Sequence, residues 1–269
     1  MTEDPNSNNP DASYSERLVC FIDLLGFGNL IDQSSNNHSS RLQIYTMLNE
    51  LQAGKLVDAL YEGVPVLASD GRFVSASQGC VVDVAKSAFP LSITQFSDSF
   101  VISCPANNFG SCSLLLRTIY AVKRLFFREL ELLMRGGLAK GLLIHEQGGV
   151  LFGPAMNEAY SLESKSAIYP RVLVSHSAAE HLERMFKDDE LLRPMFQSFD
   201  GFNAIDMVSL LGRTHTKPDE VAQFKPKLDA IETDILKNGK NALPKVRYLQ
   251  DRWLRSQDDV NSSSTGSSS

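Results

Sequence analysis

The chain has 269 residues, 43% of them hydrophobic, which suits one large domain or two small ones with a sizeable core. With 32 Asp and Glu against 26 Lys and Arg the net charge is −6 and the pI near 5.4, so no basic face is offered to a nucleic-acid backbone, and no apolar run approaches the length of a membrane span. Cys20, Cys80, Cys104 and Cys112 show neither a CxxC pair nor zinc-ligand spacing with His, and are expected to be reduced, mostly buried thiols of a soluble cytoplasmic protein.

Residues 1–15 carry too little apolar surface to offset the entropy of ordering, as does the Ser-rich tail 257–269, so both are expected to be disordered around a folded domain over 16–256. RLVCFID (17–23) is a short apolar strand ending at Asp23, followed by a tight glycine turn in LLGFG. Ser39 and Ser40 precede an amphipathic helix in which Leu42, Tyr45, Leu48 and Leu51 recur on one face. The stretch 54–80, with Gly, Pro and Asp70-Gly71, reads as an irregular insertion. LSITQF and FVISC then form a hairpin with Asp98 at its tip. Residues 113–134 make the longest helix of the chain, with Leu115, Ile119, Val122, Phe126 and Leu133 as its apolar positions. RGGLAKGLLIHEQGGVLFG reads as a glycine-rich strand, a turn and a second strand, MNEAYSLESKSA as a helix, and RVLVS as a strand before a helix capped by Ser175. Residues 217–256 add two helical patterns, broken at Asn238-Gly239 and near Pro244. The order strand, helix, hairpin, helix, strand predicts an α+β, ferredoxin-like βαββαβ core with extra C-terminal helices.

An Asp at a strand end commonly accepts backbone N–H groups of the next turn, and Asp is common at hairpin tips, so neither Asp23 nor Asp98 is informative alone. In the predicted core the first strand lies beside the hairpin, and the two carboxylates can converge. Two such groups beside Gly26, Phe27 and Gly28 suit Mg²⁺ or Mn²⁺ and a triphosphate, since hard cations take oxygen ligands and backbone N–H groups cradle phosphate. The glycine segment reads equally as a structural turn. Gly136, Gly137 and Gly141 read as a strand that other backbone or a ligand crosses closely. His38, His145, His176, His181 and His215 form no metal-binding or triad pattern.

FIDLLGFG resembles the first metal-binding motif of class III nucleotidyl cyclases, and SITQFSDSFVIS their second, with Asp98 at the hairpin tip. RGGLAKG (135–141) is similar to their Arg-x-Gly-x-x-x-Gly strand, and FGPAMNEAYSLES to their later helix, with Gly153, Asn157, Ala159 and Glu163 in the family's positions. The resemblance spans about residues 17–188 in the same order. It implies two metals per site, held by Asp23, Asp98 and the backbone carbonyl of Leu24, with Asn157 orienting the ribose from the second chain of a homodimer.

The departures from purine cyclases narrow the substrate. Their adenine-selecting Lys and Asp correspond here to Thr94 and Val150, and the guanine-selecting Glu and Cys are absent too. An unpaired base edge in a buried site costs about 1–3 kcal/mol, which disfavours ATP and GTP. F-[IV]-D-x-L-G-F, S-D-S, R-G-G and A-Y-x-L-E-S…A-x-Y-P-R are similar to the pyrimidine cyclases of the bacterial Pycsar antiphage system. That resemblance implies cyclic UMP or cyclic CMP made from the triphosphate, and a separate effector activated by the product. We expect UTP, with CTP the alternative. Tyr45 and Tyr160 are candidates to stack on the base, or simply core aromatics. The transition-state Arg of purine cyclases is Ser161 here, with Lys140, Lys165 and Arg171 as substitutes or surface charges. Its absence leaves open a catalytically silent sensor or scaffold, and a purine cyclase with unusual base contacts is a further reading.

Overall fold

A computed structural model describes residues 13–52, 58, 60–61, 65–67, 73–75, 79–188, 196–205, 218–238 and 240–265. Residues 1–12, and with them most of the expected N-terminal tail, lie outside the described residues. The first half of the chain runs β1 (Ser15–Leu25), α1 (Phe27–Ser34), α2 (His38–Gln52), β2 (Pro65–Leu67), β3 (Phe73–Ser75), α3 (Gly79–Ala88), β4 (Ser92–Phe96), β5 (Ser99–Pro105) and α4 (Phe109–Leu130). The second half runs β6 (Leu133–His145), β7 (Leu151–Phe152), α5 (Pro154–Ser161), a π-helical turn (Leu162–Ser166), β8 (Val172–Val174), α6 (His176–Met185), β9 (Phe196–Phe199), β10 (Phe202–Ile205), α7 (Pro218–Asn238) and α8 (Leu243–Thr265).

The central strands lie in the order β4-β5-β1-β6, all antiparallel, which is the expected α+β, ferredoxin-like arrangement. The sheet continues through β8, parallel to β6, to β10 and β9. β1 is buried on both faces, which is why it reads as a continuous apolar run. Leu18, Cys20, Ile22 and Leu24 face the larger core with Leu115, Ile119, Val122 and Phe126 of α4. Val19 and Phe21 face Ala155 and Ala159 of α5. Helix α5 lies so close to β6 that a Cβ on Gly137 would collide with the Ala159 carbonyl, and one on Gly136 would come 2.6 Å from the Phe21 carbonyl. The glycine-rich strand is thus crossed by other backbone, as its sequence indicates.

Several local expectations are corrected. The stretch 54–80 is not wholly irregular, since β2 pairs with β3 and α3 begins at Gly79. On α2 the buried positions are Ile44, Met47 and Leu51, while Leu42 and Tyr45 are exposed; a strict step of three drifts around a 3.6-residue helix. Helix α4 starts at Phe109, where the Asn108 side chain caps it by accepting from Ser111 N at 2.9 Å. It ends at Leu130 because Glu131 turns left-handed with φ 55°, which sends Leu133 into β6. At 23 residues α8 exceeds the 22 of α4, so α4 is not the longest helix. Helix α8 also continues to Thr265, into the tail expected to be disordered from 257. Once Val246, Leu249 and Trp253 anchor it against Phe127 and Leu228, each added residue completes a hydrogen bond at little cost.

Ser175 caps α6 as expected, accepting from Ala178 N. Cys20, Cys104 and Cys112 are free and buried, while the side chain of Cys80 lies outside the described residues. Among the described residues no helix is long and apolar enough to cross a membrane.

Candidate functional site

Asp23 stands at the end of β1 opposite Ser99 of β5, and Asp98 occupies the adjoining two-residue turn between β4 and β5. The Leu24 N–H donates to the Asp98 carbonyl at 3.1 Å, which ties the end of β1 to the hairpin tip. Ser97 takes the left-handed conformation (φ 55°) that lets the chain reverse in two residues. Both aspartates are half-buried. Among the described residues nothing donates to the Asp98 side chain, a carboxylate in the hairpin turn. With Asp23 and the Leu24 carbonyl it would give an all-oxygen donor set, the chemistry that Mg²⁺ or Mn²⁺ takes. Among the described residues no group of three or more His, Cys, Asp and Glu side chains could hold a metal. Water or phosphate oxygens would therefore have to complete any cation's shell.

The structure adds two residues to which sequence reasoning gave no role. Arg135 is the cross-strand partner of Asp23, and its Nε donates to Asp23 Oδ2 at 3.1 Å. The same Nε lies 2.7 Å from Oε1 of Glu163, whose side chain is 4% exposed. One guanidinium therefore sits between two carboxylates. Burial pushes the Glu163 pKa up, Arg135 opposes this, and the Asp23 charge adds to the rise. Both residues stand in the quoted motifs, but only the strand register and the π-helical turn bring them together.

Gly26 precedes α1 with φ +92°, a left-handed conformation open to glycine, and no side chain caps the helix. The first intrahelical bond runs from Leu30 N to Gly26 O at 3.2 Å, which leaves the N–H groups of Phe27, Gly28 and Asn29 without helical partners. The Phe27 ring is buried in the core, so this residue offers a ligand only its N–H. Space beside Gly28 is open.

Asn157 is exposed on α5, on the side opposite the buried Ala155 and Ala159, and so points away from its own sheet. Tyr45 is 67% exposed on α2, whose buried residues join the core on the other sheet face from Asp23. Tyr160 is exposed and meets Phe21 edge-on with ring centroids 5.3 Å apart. The candidate substitutes for the Ser161 position differ from one another. Lys140 pairs with Glu16 and Lys165 is exposed. Arg171 is no surface charge: it is buried, with its guanidinium 5.6 Å and 5.9 Å from the rings of Tyr169 and Tyr248. Thr94 is half-buried on β4, and Val150 is exposed.

His145, one of five histidines without a pattern, is buried in a polar cluster. Its Nδ1 lies 2.7 Å from Ser103 Oγ and its Nε2 2.9 Å from Thr94 Oγ1. Arg17 Nε donates to Ser103 Oγ at 2.9 Å. Burial lowers the His145 pKa to about 4, helped by the Arg17 charge, so the ring is neutral at physiological pH.

No protein-family model matches the chain, and no curated protein matches it. Solved structures do. The adenylyl cyclase CyaB from P. aeruginosa aligns at 13% identity over 71% of this chain and 92% of its own, with a TM-score of 0.43. The guanylyl cyclase domain of the RhoGC fusion protein from the aquatic fungus Blastocladiella emersonii aligns at 15% identity over 71% and 94%, with a TM-score of 0.44. An adenylate/guanylate cyclase/hydrolase from Silicibacter pomeroyi aligns at 14% identity over 72% and 96%, with a TM-score of 0.40. At these identities and scores the likeness fixes neither family nor activity, and the α+β class rests on this chain's own strand order.

Proposed function

We propose that the protein is a nucleotide cyclase that converts UTP to 3',5'-cyclic UMP and diphosphate. The observation that carries the reading is the placement of Asp23 and Asp98 on adjoining strand ends, beside the uncapped N-terminus of α1. The series of four motifs similar to those of class III cyclases supports it. Asp23, Asp98 and the Leu24 carbonyl would hold two Mg²⁺ or Mn²⁺ ions. Bound there, the ions acidify the ribose 3'-hydroxyl and neutralise the leaving diphosphate. The N–H groups of Phe27 and Gly28 receive phosphate oxygens, aided by the positive end of the α1 dipole. Arg135 keeps the Asp23 carboxylate in place, and Glu163 holds Arg135.

An exposed Asn157 aimed away from its own sheet suits a site built across two chains, so we take the active form to be a homodimer. Mixing Asp98→Ala with Asn157→Ala subunits then restores one competent site per heterodimer. Tyr160, exposed beside Phe21, is the better-placed aromatic to stack on a base. Tyr45, expected at the base, stands on a helix packed against the opposite face of the sheet, so we give it no contact with the nucleotide. The role proposed for the product is that of a second messenger in bacterial antiphage defence, read by a separate cyclic-nucleotide-activated effector.

The test is incubation of the purified protein with each of the four ribonucleoside triphosphates and Mn²⁺, with products identified by mass. Cyclic UMP as the main product is expected. Cyclic CMP would move the substrate to CTP, cyclic AMP or cyclic GMP would overturn the pyrimidine assignment, and no product from any of the four would favour a silent scaffold. That last reading draws on Ser161, which supplies no cation where purine cyclases have Arg.

A further inference from the structure

The three contacts of Arg135 are not equivalent. Its Nε–H is donated to Asp23 Oδ2 at 3.1 Å. Glu163 Oε1 is closer to the same nitrogen, at 2.7 Å, yet receives a hydrogen bond neither from it nor from any other described residue. A nitrogen–oxygen distance that short without a hydrogen bond means that the oxygen lies to the side of the N–H direction. Arg135 Nη1 donates to the Ala167 carbonyl at 3.4 Å, and Ala167 directly follows the π-helical turn that carries Glu163. The guanidinium is thus anchored beside Glu163, and the direction of one N–H joins it to Asp23.

The two carboxylates also differ in access. The Asp23 and Arg135 side chains are partly exposed, so an ion can reach Asp23 from solvent, whereas Glu163 is buried behind Arg135. A buried carboxylate oxygen without a donor is costly, and the arrangement contains one way to satisfy it. A small rotation of Arg135 carries Nε–H from Asp23 Oδ2 onto Glu163 Oε1, with the contact to Ala167 as its pivot. The same rotation releases Asp23 Oδ2.

We infer that Arg135 competes with a divalent cation for Asp23, and that Glu163, as the second acceptor for the Arg135 Nε–H, draws it off and so sets the cation affinity of the site. This rests on the reading of Asp23 as a cation ligand. A guanidinium beside the carboxylate opposes a further positive charge there, while the Glu163 charge behind it favours one. Neither Arg135 nor Glu163 is a ligand in this arrangement. Both act through Asp23, as positioning residues. A tether that merely oriented Asp23 would act in the opposite direction, since its removal would loosen the carboxylate and weaken binding.

Titration of the full chain with Mn²⁺, following the free ion by electron paramagnetic resonance, separates the two roles without any turnover. Wild type should bind Mn²⁺ in a way that Asp23→Ala abolishes. Arg135→Met should bind it ~5-fold or more tightly, and Glu163→Gln, which keeps the shape and removes the charge, ~3-fold or more weakly. Weaker or unchanged binding by Arg135→Met, or tighter or unchanged binding by Glu163→Gln, overturns the inference and leaves the cation site intact. Because Arg135→Met also loses stability, the wild-type chain supplies an independent measurement. In ¹H–¹⁵N spectra the Arg135 Nε–H signal, assigned by its loss in Arg135→Lys, should move as Mg²⁺ is added and stay slow to exchange with water, since Glu163 accepts the hydrogen that leaves Asp23. A signal unmoved at Mg²⁺ concentrations that displace bound Mn²⁺ overturns the inference. Mn²⁺ binding that Asp23→Ala does not change, or no binding at all, overturns both the inference and the cation-site reading.

Discussion

Arg135 is the best-defined test of the site's electrostatics, because a single guanidinium serves two carboxylates. Replacing it with Met keeps most of the apolar stem and removes the charge. Glu163, 3% exposed, then loses its counter-charge and faces Asp23 directly. Removing one partner of a buried pair costs about 3–5 kcal/mol. The Arg135 and Asp23 side chains are 25% and 21% exposed, so water recovers part of this, and about 2–3 kcal/mol is expected. For a domain of this size that lowers Tm by roughly 4–12 °C. The loss should shrink on acidification, because burial already raises the Glu163 pKa. A carboxyl whose folded pKa exceeds its unfolded value contributes stability below the unfolded pKa and loses it as pH rises through the folded one. Without Arg135 that folded pKa rises further, so the variant should lie closest to wild type near pH 4–5 and furthest from it near pH 8. Urea unfolding at a series of pH values measures this. Arg135→Met combined with Glu163→Gln should recover most of the stability. An Arg135→Met protein within about 0.5 kcal/mol of wild type at pH 8 would refute the shared-cation account.

Asp98→Ala and Asp23→Ala should both abolish cyclic nucleotide formation, measured by mass spectrometry. Their stabilities should differ: Asp98→Ala stays within about 0.5 kcal/mol of wild type because nothing among the described residues holds its carboxylate, while Asp23→Ala breaks a contact to Arg135. Gly137→Ala should lower stability by more than about 3 kcal/mol or prevent folding, since the new methyl meets the Ala159 backbone, whereas Gly28→Ala has open space and should fold normally, as circular dichroism will show. Lys123 is buried on α4 with no hydrogen-bond partner for its Nζ among the described residues, and burial lowers its pKa to about 7. An amine whose folded pKa is depressed loses stability as pH falls from the unfolded pKa towards the folded one, so wild type should weaken between about pH 10 and pH 7. Lys123→Met should be more stable than wild type at pH 7 by about 1–3 kcal/mol, with a flatter pH profile in denaturant titrations.

Local signals in the sequence already determine a good part of this protein. The apolar run ending at Asp23, the short hairpin with Asp98 at its tip, the long helix after it and the Ser175 cap depend on periodicity, turn chemistry and capping, which act over a few residues. Their order restricts the topology to the βαββαβ core and so puts the two aspartates on neighbouring strands. The glycines of RGGLAKG likewise announce a close backbone crossing, though not that Ala159 is what crosses.

Tertiary structure alone decides the rest. Arg135 lies 112 residues from Asp23, and its role exists only because antiparallel register sets the two opposite each other. Glu163 joins them because the π-helical turn after α5 carries its side chain inward, which no spacing rule indicates. His145 belongs to no motif, yet three strands deliver Arg17, Ser103, Thr94 and Ser92 around it. Tyr45 shows the converse, since its spacing fits a helix face but packing buries Ile44 and Met47 instead. Periodicity locates an element and its apolar side. Which polar groups meet across the sheet depends on register, and a shift of one residue would turn every such side chain to the opposite face.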